Sequence, residues 1–325
     1  MASKKLLVVV GALGTQGRAI TDHFLTHEGN NYTIRGLTRN ADSPNAKALA
    51  AKGVEVVQAD LGNVESLKKA FTGASAIFAY TDSAGISTSN EAKLLYEKGG
   101  LSELAEAGSV IEQQQGRNVA DAAAEIPTLE RLVWSNTYDP VEASGGQMKV
   151  VYELQAKAKV FQYMQNHPDL ANKVSAVSFS IFVNSVVRFP ELFGWNKTGD
   201  KSYTIRVLLK DPSSRLAWID LQRDAGGYVS ALLKEPAGVQ VAAIGAYASF
   251  DVGLAKVKSK YGIEISVEQS SEEELVAHDP SGLLVQAARI MTCVESYGLA
   301  GDNADVVYAE EVTSEAWPQH HPEQH

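Results

Sequence analysis

Residues 6–20, LLVVVGALGTQGRAI, pass from an unbroken apolar stretch through three glycines into a helix-forming segment. A strand that is apolar at every position has to be buried on both faces, which a parallel sheet sandwiched between helices provides. When such a strand turns at once into a helix, the helix aims its free N–H groups at the turn. The partial positive charge there attracts phosphate. Side chains at Gly11, Gly14 and Gly17 would keep a pyrophosphate away from those groups. The spacing G-x-x-G-x-x-G between a strand and a helix therefore reads as a dinucleotide cradle, with Thr15 and Gln16 opening the helix above it. The same glycines also fit a tight turn with close helix–strand packing and no ligand.

The rest of the first ~180 residues repeats the alternation of strand and helix. Strands are expected at 5–10, 32–38, 54–60, 75–81, within 129–137, and at 173–183. Helices are expected at 15–25, in NAKALAAKG and NVESLKKAFTG, through a long polar region at 88–124, and at 151–165. Beyond this lie strands near 203–209, 239–244 and 263–268 and helices near 222–234, 248–260 and 280–298. The expected fold class is α/β: a Rossmann-like doubly wound parallel sheet with a smaller α+β substrate lobe at its carboxyl side. The expected division is 1–180 for the nucleotide domain, with some later segments returning to it, 181–315 for the smaller lobe, and 316–325 for a flexible tail.

Bulk properties narrow the function. A net charge of -10 and the lack of any Lys/Arg run argue against direct nucleic-acid binding. One cysteine, Cys293, excludes an intrachain disulfide and suits a reducing compartment, so a cytoplasmic protein is expected, or a nuclear one if it regulates. The start MASKKLLVVVG looks like a short signal sequence, but its apolar run passes straight into the glycines and reads as a strand. No stretch approaches the ~20 apolar residues of a membrane helix.

The end of the second strand selects the nucleotide. An NAD site usually places an acid there to hold the ribose 2′-hydroxyl. Here the chain reads Thr38-Arg39-Asn40, with no acid before Asp42. A guanidinium suits a 2′-phosphate through paired, charge-assisted hydrogen bonds, so NADP(H) is the expected cofactor. A solvated surface arginine is the alternative. Asp60 and Leu61, closing the third strand, are placed near the adenine, or else Asp60 is an ordinary turn residue. Ala79, Tyr80 and Thr81, ending the fourth strand, complete the expected nucleotide contacts in this half.

The stretches VVVGALGTQGRAI, GLTRNADSPNAKALAAKGVEVVQADL, SLKKAFTGASAIFAYTD, GRNVADAAAE, LVWSNT and LAWIDLQRDAGGYVSALLKEP resemble the NmrA-like branch of the atypical short-chain dehydrogenase/reductases. The resemblance covers most of residues 5–235 and weakens beyond. It implies NADP(H) binding, and either reduction of quinones and other aromatic substrates or redox-sensitive regulation of another protein. The wider superfamily works with Ser, Tyr and Lys, the Tyr donating a proton while Lys, one helical turn later, holds the nicotinamide ribose. In those terms Ser135 ends the fifth strand and Lys157 matches the lysine, both also expected to touch the cofactor. Four residues before Lys157 stands Glu153 rather than Tyr. Tyr152, five before, is turned away at ~100° per residue, and Tyr138 is the other candidate donor.

Phe182 and Asn184 fall where the chain crosses the nicotinamide end, although Phe182 also reads as core. Arg188, Phe189, Phe193 and Trp195 form either an aromatic substrate wall or the core of the small lobe. Asp220 and Asp224 read as helix N-terminal acids, and 268–279 as a solvated, charged helix start. His23 and His27 lack a third ligand, and His320, His321 and His325 lack a folded frame, so no metal site is expected. Two functions stand side by side: an NADPH-dependent reductase of a small carbonyl, quinone or imine compound, and a non-catalytic NADP(H) sensor acting on a protein such as a transcription factor. A homodimer is compatible with either.

Overall fold

The computed structural model describes residues 3–183, 196–211, 213–301 and 305–308. The first part alternates strictly: β1 (Lys5–Val9), α1 (Thr15–His27), β2 (Tyr32–Thr38), α2 (Pro44–Ala51), β3 (Glu55–Gln58), α3 (Val64–Phe71), β4 (Ala76–Ala79). Three helices follow, α4 (Ser83–Ser87), α5 (Asn90–Glu97) and α6 (Leu104–Ala124). Next come β5 (Arg131–Ser135), the single-turn α7 (Pro140–Ala143), α8 (Tyr152–Asn166), β6 (Val174–Phe179) and β7 (Ile181–Phe182). The remaining described strands are β8 (Asn196–Lys197), β9 (Ser202–Val207), β10 (Arg215–Ile219), β11 (Gln240–Ala243), β12 (Ala246–Ser249), β13 (Glu264–Gln269) and β14 (Val306–Tyr308). Their helices are α9 (Leu221–Lys234), α10 (Phe250–Tyr261), α11 (Glu272–His278) and α12 (Leu283–Tyr297).

Eight strands form one sheet in the order β14-β11-β6-β5-β4-β1-β2-β3. Every pairing within it is parallel. The doubly wound expectation is met, and β11 and β14 are late segments that return to the large sheet. The period of two along a strand sorts its side chains between two cores. On β1, Val8 joins the core covered by α3, α6 and α8, while Leu7 and Val9 join the one covered by α1 and α9. All three are fully buried, which is why the strand is apolar beyond its exposed first residue, Lys5.

Local chemistry starts the helices where the sequence suggests. Ser43 caps α2 ahead of Pro44, and Asn63 caps α3 by accepting from the Ser66 amide. Asp220 caps α9 as expected. Ser271 and Glu274 form a reciprocal capping box on α11, so the charged 268–279 run is a helix start.

Two expectations need correction. The sixth strand is not continuous over 173–183: it breaks at Ser180, and β7 leaves the large sheet to pair with β10. The long helical region begins earlier, at Ser83, and splits into three helices because Asp82 and Ser89 each cap a new start. The smaller sheets, β12-β10-β7 and β13-β9-β8, enclose a second core around Ile205, Leu216, Trp218 and Phe250. Asn184, Arg188, Phe189, Phe193 and Trp195, and the tail with its histidines, lie outside the described residues.

Candidate functional site

The turn after β1 has the form its glycines imply. Gly11 has φ +63°, the left-handed region that side chains disfavour. A Cβ on Gly17 would stand 2.3 Å from the Gly11 carbonyl oxygen, so the third glycine lets helix and turn meet. Gly14 precedes α1 with no side chain capping the helix and no acid in its first turn. No side chain covers the N–H groups of this first turn, although the Gly14 amide itself donates to the Gly11 carbonyl (2.8 Å). Gln16 is buried, and its Oε1 has no hydrogen-bond partner among the described residues. One side chain leans over the cradle. The Tyr80 hydroxyl donates to the Gly11 carbonyl (3.0 Å) and would stand 2.1 Å from a Cβ on Gly14.

At the neighbouring strand ends, Arg39 is exposed and makes no ion pair among the described residues. Thr38 and Asn40 hold the turn around it, the Thr38 hydroxyl accepting from the Asn40 amide (3.3 Å) and the Asn40 side chain from the Asp42 amide (3.0 Å). Asp60 is engaged in its own turn, accepting from the Gly62 amide (2.8 Å). The Leu61 carbonyl accepts from Asn118 on α6 (2.8 Å). Ala79 is fully buried in β4.

Lys157 lies in a second constellation. It projects from α8, is 4% exposed, and its ammonium donates to Glu112 on α6 (2.5 Å) and to Ser83 at the start of α4. Hydroxyls of Thr81 (2.5 Å) and Ser83 (2.7 Å) donate to the same Glu112 oxygen. Burial alone would push the Lys157 pKa down, but Glu112 and then Glu153 outweigh it and the net shift is upward. The ammonium therefore stays charged and its partner is a carboxylate. Glu153 stands beside this cluster, its Oε1 3.9 Å from Lys157 Nζ. Ser83, Glu112 and Glu153 line a cleft open to solvent, with Ser109 and Gln286 among its polar walls and Leu283 and Ile290 among its apolar ones.

The structure does not bring the candidate tyrosines into this cluster. The Tyr152 hydroxyl pairs with Ser102 (3.1 Å). Tyr138 is packed with Met148, Val151, Leu154 and Cys293; its hydroxyl has no partner among the described residues, and burial pushes its pKa far up. A phenol held so firmly protonated in an apolar pocket is a poor proton donor. Ser135 is buried at the end of β5, in register with Val177 of β6. Phe182 packs against the core that α1 and α9 cover, as its core reading has it.

Glu112, Ser83 and Glu153 were not singled out as site residues by sequence reasoning. A signal for Glu112 was present: Gly108, Glu112, Gly116 and Ala120 recur every four residues and all are buried on α6. A carboxylate in a row of small residues on a buried helix face needs a buried cation.

A family model, the NmrA-like family, matches residues 3–252. Among curated proteins, the NmrA-like family domain-containing oxidoreductase cpsB of Aspergillus campestris is 27% identical over 248 residues, covering 72% of this chain. This chain spans just under two thirds of that relative, 66% of its length. Among solved structures, NmrA, a negative transcriptional regulator in complex with NADP, superposes with a TM-score of 0.64 at 19% identity, covering 91% of this chain and 83% of NmrA. Triphenylmethane reductase of Citrobacter sp., complexed with NADP(H), gives 0.57 at 17% identity, covering 92% and 93%. At such identities the two structures establish shared architecture. The family match, running from β1 into α10, settles the lineage: the chain belongs to the NmrA-like family.

Proposed function

We propose that this chain binds NADP(H) and reduces a small carbonyl, quinone or imine compound, the bound dinucleotide supplying hydride. The observation that carries this reading is the uncapped N-terminus of α1 together with an exposed arginine, Arg39, that has no carboxylate partner among the described residues. The N-terminal end of α1 faces the diphosphate, Gln16 offers its orphaned oxygen, and Arg39 takes the 2′-phosphate. Tyr80 has to turn aside from Gly11 for the diphosphate to reach that end. Substrate occupies the cleft lined by Ser83, Glu112 and Glu153, and Leu283, Gln286 and Ile290, within residues 181–315, supply part of its wall. The relative cpsB is described as an oxidoreductase, and both structural relatives hold NADP or NADP(H).

A second reading, a non-catalytic NADP(H) sensor, draws on a specific observation: the Lys157 ammonium is already taken by Glu112. Consumption of NADPH across aldehydes, ketones, quinones and imines separates the two. Turnover that Lys157→Ala abolishes supports the reductase. No turnover, together with unequal affinities for NADP and NADPH, supports the sensor, because only differential binding shifts a conformational equilibrium.

A further inference from the structure

Three buried or half-buried carboxylates of this protein hold cations of their own. Glu28 has Lys234 at 2.7 Å, Glu272 has Arg289 at 2.8 Å, and Glu112 has Lys157 at 2.5 Å. Glu153 differs. Its i,i+4 neighbour Lys157 is 3.9 Å away, beyond hydrogen bonding, because the ammonium is drawn to Glu112. The hydroxyls of Thr81 and Ser83 also point to Glu112. Besides its contacts with Lys157 and Ser83, Glu153 lines the cleft, and 43% of its side chain is exposed.

We infer that Glu153 is the proton donor of this site, its carboxyl delivering a proton to the substrate's carbonyl oxygen or imine nitrogen as hydride reaches the carbon. This rests on the reductase reading. The Glu153 O–H bond breaks and an O–H or N–H bond forms on the substrate. The electron pair displaced from the C=O or C=N bond takes that proton, and the carboxylate left behind is reprotonated by water entering the open cleft. The surroundings shift Glu153 towards its protonated form. Burial is the leading cause lifting its pKa, and Lys157, with help from Ser83, pulls the other way. The carboxylates of Glu112 on α6 and Asp82 at the start of α4 add to the rise. From α12 the lining is Leu283, Gln286, Ala287 and Ile290, none of them ionisable. Lys157 acts here through its ion pair with Glu112, and the charge of Glu112 raises the Glu153 pKa.

Glu153→Gln keeps the shape and removes the proton. It is expected to lower kcat for an aldehyde or ketone roughly 100-fold, the range for a positioned general acid. Reduction of an N-alkyl iminium, which needs hydride alone, should fall far less. Infrared difference spectra of nucleotide-free wild type at neutral pH should contain a protonated-carboxyl band that Glu153→Gln lacks. An ionised Glu153 in those spectra, or equal losses for aldehyde and iminium, overturns the assignment while leaving the reductase intact. A wild type that fails to oxidise NADPH with any of the aldehydes, ketones, quinones or imines overturns the reductase reading and the donor with it.

Discussion

The glycine cradle and the Lys157 cluster occupy neighbouring places in the fold but are assembled in opposite ways. The cradle is built from seven consecutive positions, 11–17, and works by leaving things out: no side chains, no cap, no acid. The cluster draws Thr81, Ser83, Glu112 and Lys157 from separate segments and works by mutual satisfaction, three donors converging on one carboxylate oxygen. Consecutive residues join the two regions. Tyr80 reaches back over Gly11, and Thr81 reaches to Glu112. A site that binds a diphosphate must keep its donors unspent, whereas a buried ammonium is tolerable only when fully partnered.

The sharpest way to break this contrast is to unpartner the cluster. Glu112→Ala strands a buried ammonium and is expected to cost about 3–5 kcal/mol in urea denaturation. Pairing Glu112→Leu with Lys157→Met should return most of that stability while leaving NADPH oxidation lost. A cost below about 1 kcal/mol for Glu112→Ala would mean that Lys157 escapes to water and that the cluster is not a closed unit.

A scaffold carboxylate provides the next test. Burial alone would raise the pKa of Glu28, but hydrogen bonds from Lys234, Asn31 and Ser230 bring it down to about 2. A depressed folded pKa contributes stability that is full above the unfolded value of 4.5 and is lost as pH falls towards 2. Wild type should therefore lose about 2–3 kcal/mol through this group across that window. Glu28→Gln should show less acid dependence there, measured as the urea midpoint against pH. Nothing comparable is expected from Glu153→Gln, since Glu153 shifts in the opposite direction.

For the cradle, Arg39→Ala should weaken NADP binding by about 1–3 kcal/mol and leave NAD nearly untouched, read by calorimetric titration. Equal losses for both nucleotides would remove the 2′-phosphate role. The smallest effect belongs to the scaffold nearby: Asn63→Ala should cost about 1 kcal/mol through loss of the α3 cap, with no change in nucleotide affinity.

Much of the site's first half was legible in the chain. Gly11, Gly14 and Gly17 are close in sequence, and their requirement is backbone geometry, which does not depend on distant partners. The alternation of strands and helices was equally readable, because a buried strand and an amphipathic helix advertise themselves by period. Lys157 was legible as a residue but not in its partnership. Its relation to Glu112 spans 45 positions and depends on α6 and α8 packing closely enough that Gly116 touches Val160. The surroundings of Tyr138 and Tyr152 were likewise invisible, since they are set by Cys293 and Ser102, which fold in from elsewhere.

By itself, then, the sequence determined the doubly wound sheet, its glycine turn and the arginine at the end of β2, because each is dictated by neighbours along the chain. Only the tertiary structure decided which acid meets the lysine and which is left facing the cleft. Coulomb energy and desolvation depend on distances of a few ångströms between α4, α6 and α8, and those distances exist only once the helices have packed.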